Sequence, residues 1–163
     1  MEINIVLEKF IKSDFTDYFK LVSDINVMEM ITERALDIDE ANADFEKLIQ
    51  NNQLLENFGN FKIRNKETDE FIGLAKLEIK NKDDQEAELG YMILPEYWGR
   101  GIASNVGKQL IEIAKNQAGI NKLFAIIDPK NVPSRKILIK QGFVSKEFKD
   151  FDGLPGEILE LRF

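Results

Sequence analysis

Between Ala87 and Ile127 an alternating run, a pair of glycines, a helical-period run and a short wholly apolar run follow one another, and few folds accommodate that order. Ala87, Leu89, Tyr91 and Ile93 alternate with Glu88, Gly90, Met92 and Leu94, the period of a pleated strand with one apolar face and one mixed face carrying a carboxylate. Pro95 ends it, because proline has no N–H to give a ladder. Gly99 and Gly101 free the backbone for positive φ and for close approach to a ligand, and Ile102, Val106, Leu110 and Ile113 recur at helical spacing. The spacing predicts a helix from near Gly101 to about Ala118-Gly119. Leu123–Ile127 reads as a short strand buried on both faces. A strand, crossover helix and strand of this kind are parallel and right-handed, with ligands bound beyond the carboxyl ends of the strands, here Leu94 and Asp128.

The start of that helix is where such a unit can hold an anion. Its first N–H groups have no partner within the helix and carry the positive end of the macrodipole, and Arg100 adds a full charge, so phosphate is the natural guest. The glycines by themselves are equally those of a tight strand-to-helix turn. A P-loop needs Lys and then Ser or Thr directly after its last glycine, which Gly101-Ile102-Ala103 lacks, and the dinucleotide fingerprint needs a third small residue placed differently.

The flanking segments supply a sheet for this unit. Ile3–Phe10 reads as a first strand, and Asp14 can cap a helix carrying Phe15, Tyr18, Phe19 and Val22 as a core stripe. Val27–Ala35 is ambiguous; Asp37 or Asp39 starts another helix with Ala41, Phe45, Leu48 and Ile49 along one side. Gly59–Arg64 and Phe71–Lys80, joined by the polar turn 65–70, form an antiparallel pair that continues through the turn 81–85 into the central strand as a meander. After Ile127, Pro133 suits the first turn of a short helix with Ile137 and Leu138 buried and Gly142 at its end; Asn131 and Ser134 lie at its mouth, where a capping role is also open to them. Phe143–Phe148 and Glu157–Phe163 complete the sheet as a last antiparallel pair. The expected fold is a single α/β (α+β) domain over residues 1–163, with a mixed sheet of about six or seven strands flanked by helices.

Charge and missing residue types narrow the chemistry. The chain has no histidine and no cysteine, so thiolate chemistry and disulfides are excluded, no metal is expected, and any general base is a carboxylate, a tyrosine, a lysine or water. A net charge of −7 argues against a nucleic-acid partner and tilts the chain toward cationic substrates. No apolar run approaches the length of a membrane span, and Met1-Glu2-Ile3-Asn4 lacks the basic start of a signal peptide, so a cytoplasmic protein without a membrane partner is expected.

Trp98-Gly99-Arg100-Gly101-Ile102-Ala103, followed by Asn131-Val132-Pro133-Ser134 and then Gly142-Phe143, resembles the GNAT N-acetyltransferase superfamily, and within it the Rim-type branch that acts on ribosomal-protein N-termini. Trp98 departs from the Gln or Arg usual in the first motif; the strong part of the resemblance covers roughly residues 86 to 145. It implies acyl transfer from acetyl-CoA to a primary amine, a protein N-terminus or a small cationic amine. The donor would lie in the opening of a splayed parallel pair formed by the central strand and Leu123–Ile127. Backbone groups of Met92, Ile93 and Leu94 would pair with its pantetheine arm, and Gly99, Arg100, Gly101, Ile102, Ala103 and Ser104, with Asn131 nearby, would hold its pyrophosphate. Glu88 is the implied general base, and Ser134 the general acid, with Tyr91 or Tyr97 as substitutes. Met28, Met30 and Arg34 fall in the segment that would line the acceptor cleft, although packing explains the methionines as well. A catalytically degenerate CoA-binding sensor or an interaction module of the same fold is the alternative. A homodimer is compatible with either.

Overall fold

The computed structural model describes residues 2–163. Its strands are β1 (Ile5–Lys9), β2 (Gly59–Asn65), β3 (Phe71–Glu78), β4 (Glu86–Ile93), β5 (Lys122–Ile127), β6 (Val144–Phe151) and β7 (Leu154–Arg162). The α-helices are α1 (Phe15–Val22), α2 (Ile25–Met28), α3 (Ile38–Asn51), α4 (Ile102–Lys115) and α5 (Val132–Lys140). One mixed sheet runs in the order β1-β2-β3-β4-β5-β7-β6, antiparallel throughout except for the parallel pair β4–β5 that the crossover through α4 dictates.

Two apolar layers cover the two faces. On one, Ala87, Leu89, Leu123 and Leu159 of the sheet pack with Val106 and Leu110 of α4 and Leu138 of α5. On the other, Leu74 and Leu94 pack with Tyr18, Phe45 and Leu48 of α1 and α3. Phe10 anchors that second layer, edge-on to Tyr18, Phe45 and Phe71 at centroid distances of 6.3, 6.1 and 6.2 Å. The aromatic stripe of α1 is therefore core, as its helical period implies.

Several local expectations are corrected. Leu123 and Ala125 are buried, but Phe124 is only partly so and Ile126 is exposed, so β5 is covered on one face alone. The reason is the reach of the helices: α1 and α3 pack on β3 and β2 and stop short of the β5–β7–β6 half. Asp14 stands at the start of α1 without capping it; its carboxylate accepts from Ile11 N and from Lys62 Nζ at 2.8 and 2.9 Å, tying the turn to β2. Asp37 does cap α3, accepting from Glu40 N at 2.9 Å while Glu40 accepts from Asp37 N in return. The last hairpin is longer than expected, because Asp152 and Gly153, both at positive φ, form a tight two-residue turn and the strands run right up to it.

Candidate active site

The parallel pair is short. Glu86, Ala87 and Glu88 face Lys122, Leu123 and Phe124, and there the β4–β5 ladder stops. Beyond it β4 stays with β3 as far as Ile93, and β5 stays with β7 as far as Ile127, so the two strands part and leave an opening that begins at Glu88. In an antiparallel ladder of constant register, alternate residues turn both backbone groups to the same neighbour. Leu94 N donates to Ile72 O at 2.9 Å, which places the backbone of Leu94, Met92 and Gly90 on the β3 side and that of Leu89, Tyr91 and Ile93 on the opening. Of Met92, Ile93 and Leu94, only Ile93 faces the gap, and its carbonyl already accepts from Trp98 Nε1 at 2.8 Å. Tyr91 belongs with Ile93 instead. The alternation used for side chains, applied to the hydrogen bonds, carries that signal in the sequence.

The turn after β4 prepares the start of α4. Gly99 and Gly101 have φ of 75° and 77°, and Gly101 is the residue that precedes the helix. A side chain there would be strained by the backbone, while a Cβ at either position would meet no atom within 4 Å, so the approach to the helix is open. The first bond of α4 runs from Asn105 N to Gly101 O at 3.1 Å, which leaves the N–H groups of Ile102, Ala103 and Ser104 with no carbonyl inside the helix. Arg100 is exposed beside them, its guanidinium 5.8 Å from the Tyr97 ring centroid. These features fit a pyrophosphate group. Tyr97 itself is engaged elsewhere, donating to Glu70 Oε2 at 3.1 Å, and burial together with that carboxylate pushes its hydroxyl above the usual phenol range.

Glu88 projects on the α1–α3 side of the sheet. Lys76 Nζ lies 3.3 Å from its Oε2 and 3.9 Å from Glu78 Oε1, and Glu78 in turn accepts from Asn60 Nδ2 at 2.7 Å. A cleft of about 620 Å³ adjoins Glu88, and its lining carries five carboxylates, Glu78, Asp83, Asp84, Glu86 and Glu88, against three cationic side chains. Its charge favours a cation. Of the acceptor-segment residues, Met28 is buried in the core, Met30 is exposed, and Arg34 is tied to Glu40 at the start of α3.

Ser134 and Tyr91 lie on the other side. Asn131 caps α5 by accepting from Ser134 N at 3.3 Å, so the cap uses the serine's backbone and not its hydroxyl. The Tyr91 hydroxyl is shut off from solvent, and burial raises its pKa; the nearby Ser134 hydroxyl opposes that shift, yet the pair does not reach hydrogen-bond geometry. Next to Ser134, Arg135 Nε reaches both carboxylate oxygens of the fully buried Glu157 at 3.0 and 3.1 Å, which pins α5 to β7. Sequence patterning did not reveal that clamp. Glu88 and the Ser134–Tyr91 pair thus stand on opposite faces of the sheet, with the β4–β5 opening between them.

Residues 4–144 match the family model described as an acetyltransferase (GNAT) domain. The chain belongs to the GNAT acetyltransferase family. Among its relatives, an uncharacterized N-acetyltransferase, p20 of Bacillus licheniformis, is 30% identical over 102 residues, 62% of this chain and 57% of that protein. The spermidine N(1)-acetyltransferase of Escherichia coli K12 is 32% identical over 74 residues, 45% of this chain and 40% of that protein. The matched stretch therefore spans about half the length of such relatives. The GNAT fold is shared in full with solved structures. An acetyltransferase from Agrobacterium tumefaciens superposes with a TM-score of 0.82 at 18% identity, covering 100% of this chain and 94% of that one. Spermidine N-acetyltransferase from Vibrio cholerae, in complex with CoA and spermine, does so with 0.79 at 16% identity, covering 97% and 95%.

Proposed function

We propose that this GNAT domain transfers an acetyl group from acetyl-CoA to a primary amine by direct attack. The observation that carries this reading is the ladder that ends at Glu88: the strands part beside a carboxylate, and the free N–H groups of α4 stand at the far end of the same strand. Ile102, Ala103 and Ser104 N–H, with Arg100, hold the pyrophosphate, and Gly99 and Gly101 keep its approach clear. Tyr91 offers its backbone N–H and carbonyl, and Ile93 its N–H, to the pantetheine arm as a neighbouring strand would. An amine near neutral pH is mostly ammonium, so Glu88 takes its proton, directly or through water, and the amine attacks the thioester. Ser134, on the opposite face of the sheet with the Tyr91 hydroxyl beside it, gives a proton to the departing sulfur and regains one through water from the second proton that the acylated nitrogen loses. With neither cysteine nor histidine in the chain, no acetyl-enzyme step on those residues is available.

The acidic cleft at Glu88 and the spermidine acetyltransferases among the relatives support a small polycationic amine. The Rim-type resemblance of Tyr97–Ala103 supports a peptide N-terminus as the second reading. A screen of polyamines, aminoglycosides, amino acids and peptides with free N-termini, read by thiol release and product mass, tests both. Thiol release with an acetylated amine supports the enzyme; acetyl-CoA binding with no product on any amine replaces it with a CoA-binding sensor.

A further inference from the structure

The acceptor chemistry of this site is a primary amine beside Glu88, and the chain holds one there itself. Lys76 stands on β3 opposite Gly90 of β4. Because residue 90 has no side chain, the Lys76 stem can lie across β4: a Cβ at Gly90 would sit 3.4 Å from Lys76 Cε. The ammonium then comes to 3.3 Å from Glu88 Oε2, on the β4 residue at which the strands part. Lys76 and Glu88 are partly exposed, with 30% and 25% of their side chains accessible, so neither is sealed in the core. The charged end of Lys76 also lies 3.9 Å from Glu78 Oε1, so the ammonium is held between two carboxylates at the opening.

We propose that Lys76 is an acetylation site that the domain modifies in its own chain. This rests on the acetyl-transfer reading above. Glu88 accepts one proton from the Lys76 ammonium; the freed Nζ attacks the carbonyl carbon of the acyl thioester; a C–N bond forms and the C–S bond breaks; the departing sulfur takes a proton from Ser134, and the second proton lost by Nζ passes through water to restore the serine, leaving a neutral amide at Lys76 and free CoA. The product no longer pairs with Glu88, so the base loses its resident cation once the site is modified.

The experiment incubates the full chain with acetyl-CoA and no added amine, then follows acetylation by intact mass and peptide mapping. The expected result is one acetyl group at Lys76, at a rate per chain independent of protein concentration, ahead of the exposed Lys80 and Lys82, with loss of the modification in Lys76→Arg. Glu88→Gln should slow it by about 100-fold or more. An unmodified Lys76 in a protein that acetylates an added amine overturns this inference and leaves the enzyme reading intact. So does a Lys76 acetylated no faster than Lys80 and Lys82, which is solution chemistry, or a rate proportional to protein concentration, which is transfer between copies. A protein that acetylates neither itself nor any amine removes both readings.

Discussion

In the proposed reaction the chemistry is divided at the level of single residues among Glu88, Ser134 and Tyr91. Glu88→Gln keeps size and polarity but removes the proton acceptor, so turnover should fall by ~100-fold or more while acetyl-CoA affinity stays near the parent value. The rate should recover in part at alkaline pH, where free amine no longer needs the base. Steady-state kinetics across pH with a fixed acceptor check this, and parental turnover with an unchanged profile would make Glu88 structural. On the other face, Ser134→Ala should cost turnover without much stability, because Asn131 caps α5 through the serine's N–H. Burial holds the Tyr91 proton on the phenol throughout the working pH range, so this hydroxyl is a donor in reserve. If Ser134→Ala is near normal and Tyr91→Phe is slow, in matched assays, the acid is the tyrosine.

At the level of elements, the start of α4 and the seating of α5 are separable. Gly101→Asp adds a negative charge to the open N-terminus of a 14-residue helix, where the loss of favourable phosphate contacts and the added repulsion should weaken acetyl-CoA by roughly tenfold or more. Calorimetry with unchanged circular dichroism is the check; equal affinities would move the pyrophosphate elsewhere. The Arg135–Glu157 pair acts on stability. Truncating Arg135 to alanine strands a carboxylate with no exposed surface, a change that costs about 3 kcal/mol, the low end for a buried pair because the arginine is 42% exposed. A melting temperature lowered by roughly 10 °C should follow. Glu157→Gln together with Arg135→Gln should recover much of the loss, since no lone buried charge remains; a double variant as unstable as the single one would show that the clamp's geometry, and not its charge, is what matters.

Across the whole molecule, the net charge of −7 and the carboxylates around the cleft act at long range on whatever approaches. Cationic acceptors should show a KM that rises with ionic strength, because the Debye length falls from about 10 Å at 0.1 M to 3 Å at 1 M, whereas an uncharged competitor for the cleft should be insensitive. Initial rates for a diamine and a monoamine at several salt concentrations measure this, and parallel, flat responses would show that the acidic surface plays no part in capture. No helix among the described residues is long and apolar enough to cross a membrane.

The local periods in the chain determined a great deal. Alternation through Ala87–Ile93, the glycines at 99 and 101 and the helical spacing after them dictated a strand, a helix start entered through two residues at positive φ, and a parallel crossover, with the GNAT motif residues at the turn that opens the helix. Side-chain period does not say where a ladder stops. The parting of β4 from β5 after Glu88 depends on β3 and β7 holding their neighbours in separate registers, which is a property of the assembled sheet. The exposure of β5 on one face depends likewise on how far α1 and α3 extend, and its apolar run alone read as doubly buried. Residues distant in the chain met only on folding: Arg135 with Glu157, Tyr91 with Ser134, Lys76 with Glu88. Sequence fixes which chemistry each segment carries, because hydrophobic period and backbone freedom are local; the tertiary structure decides which of those groups face one another, because side-chain contacts depend on register and packing between elements.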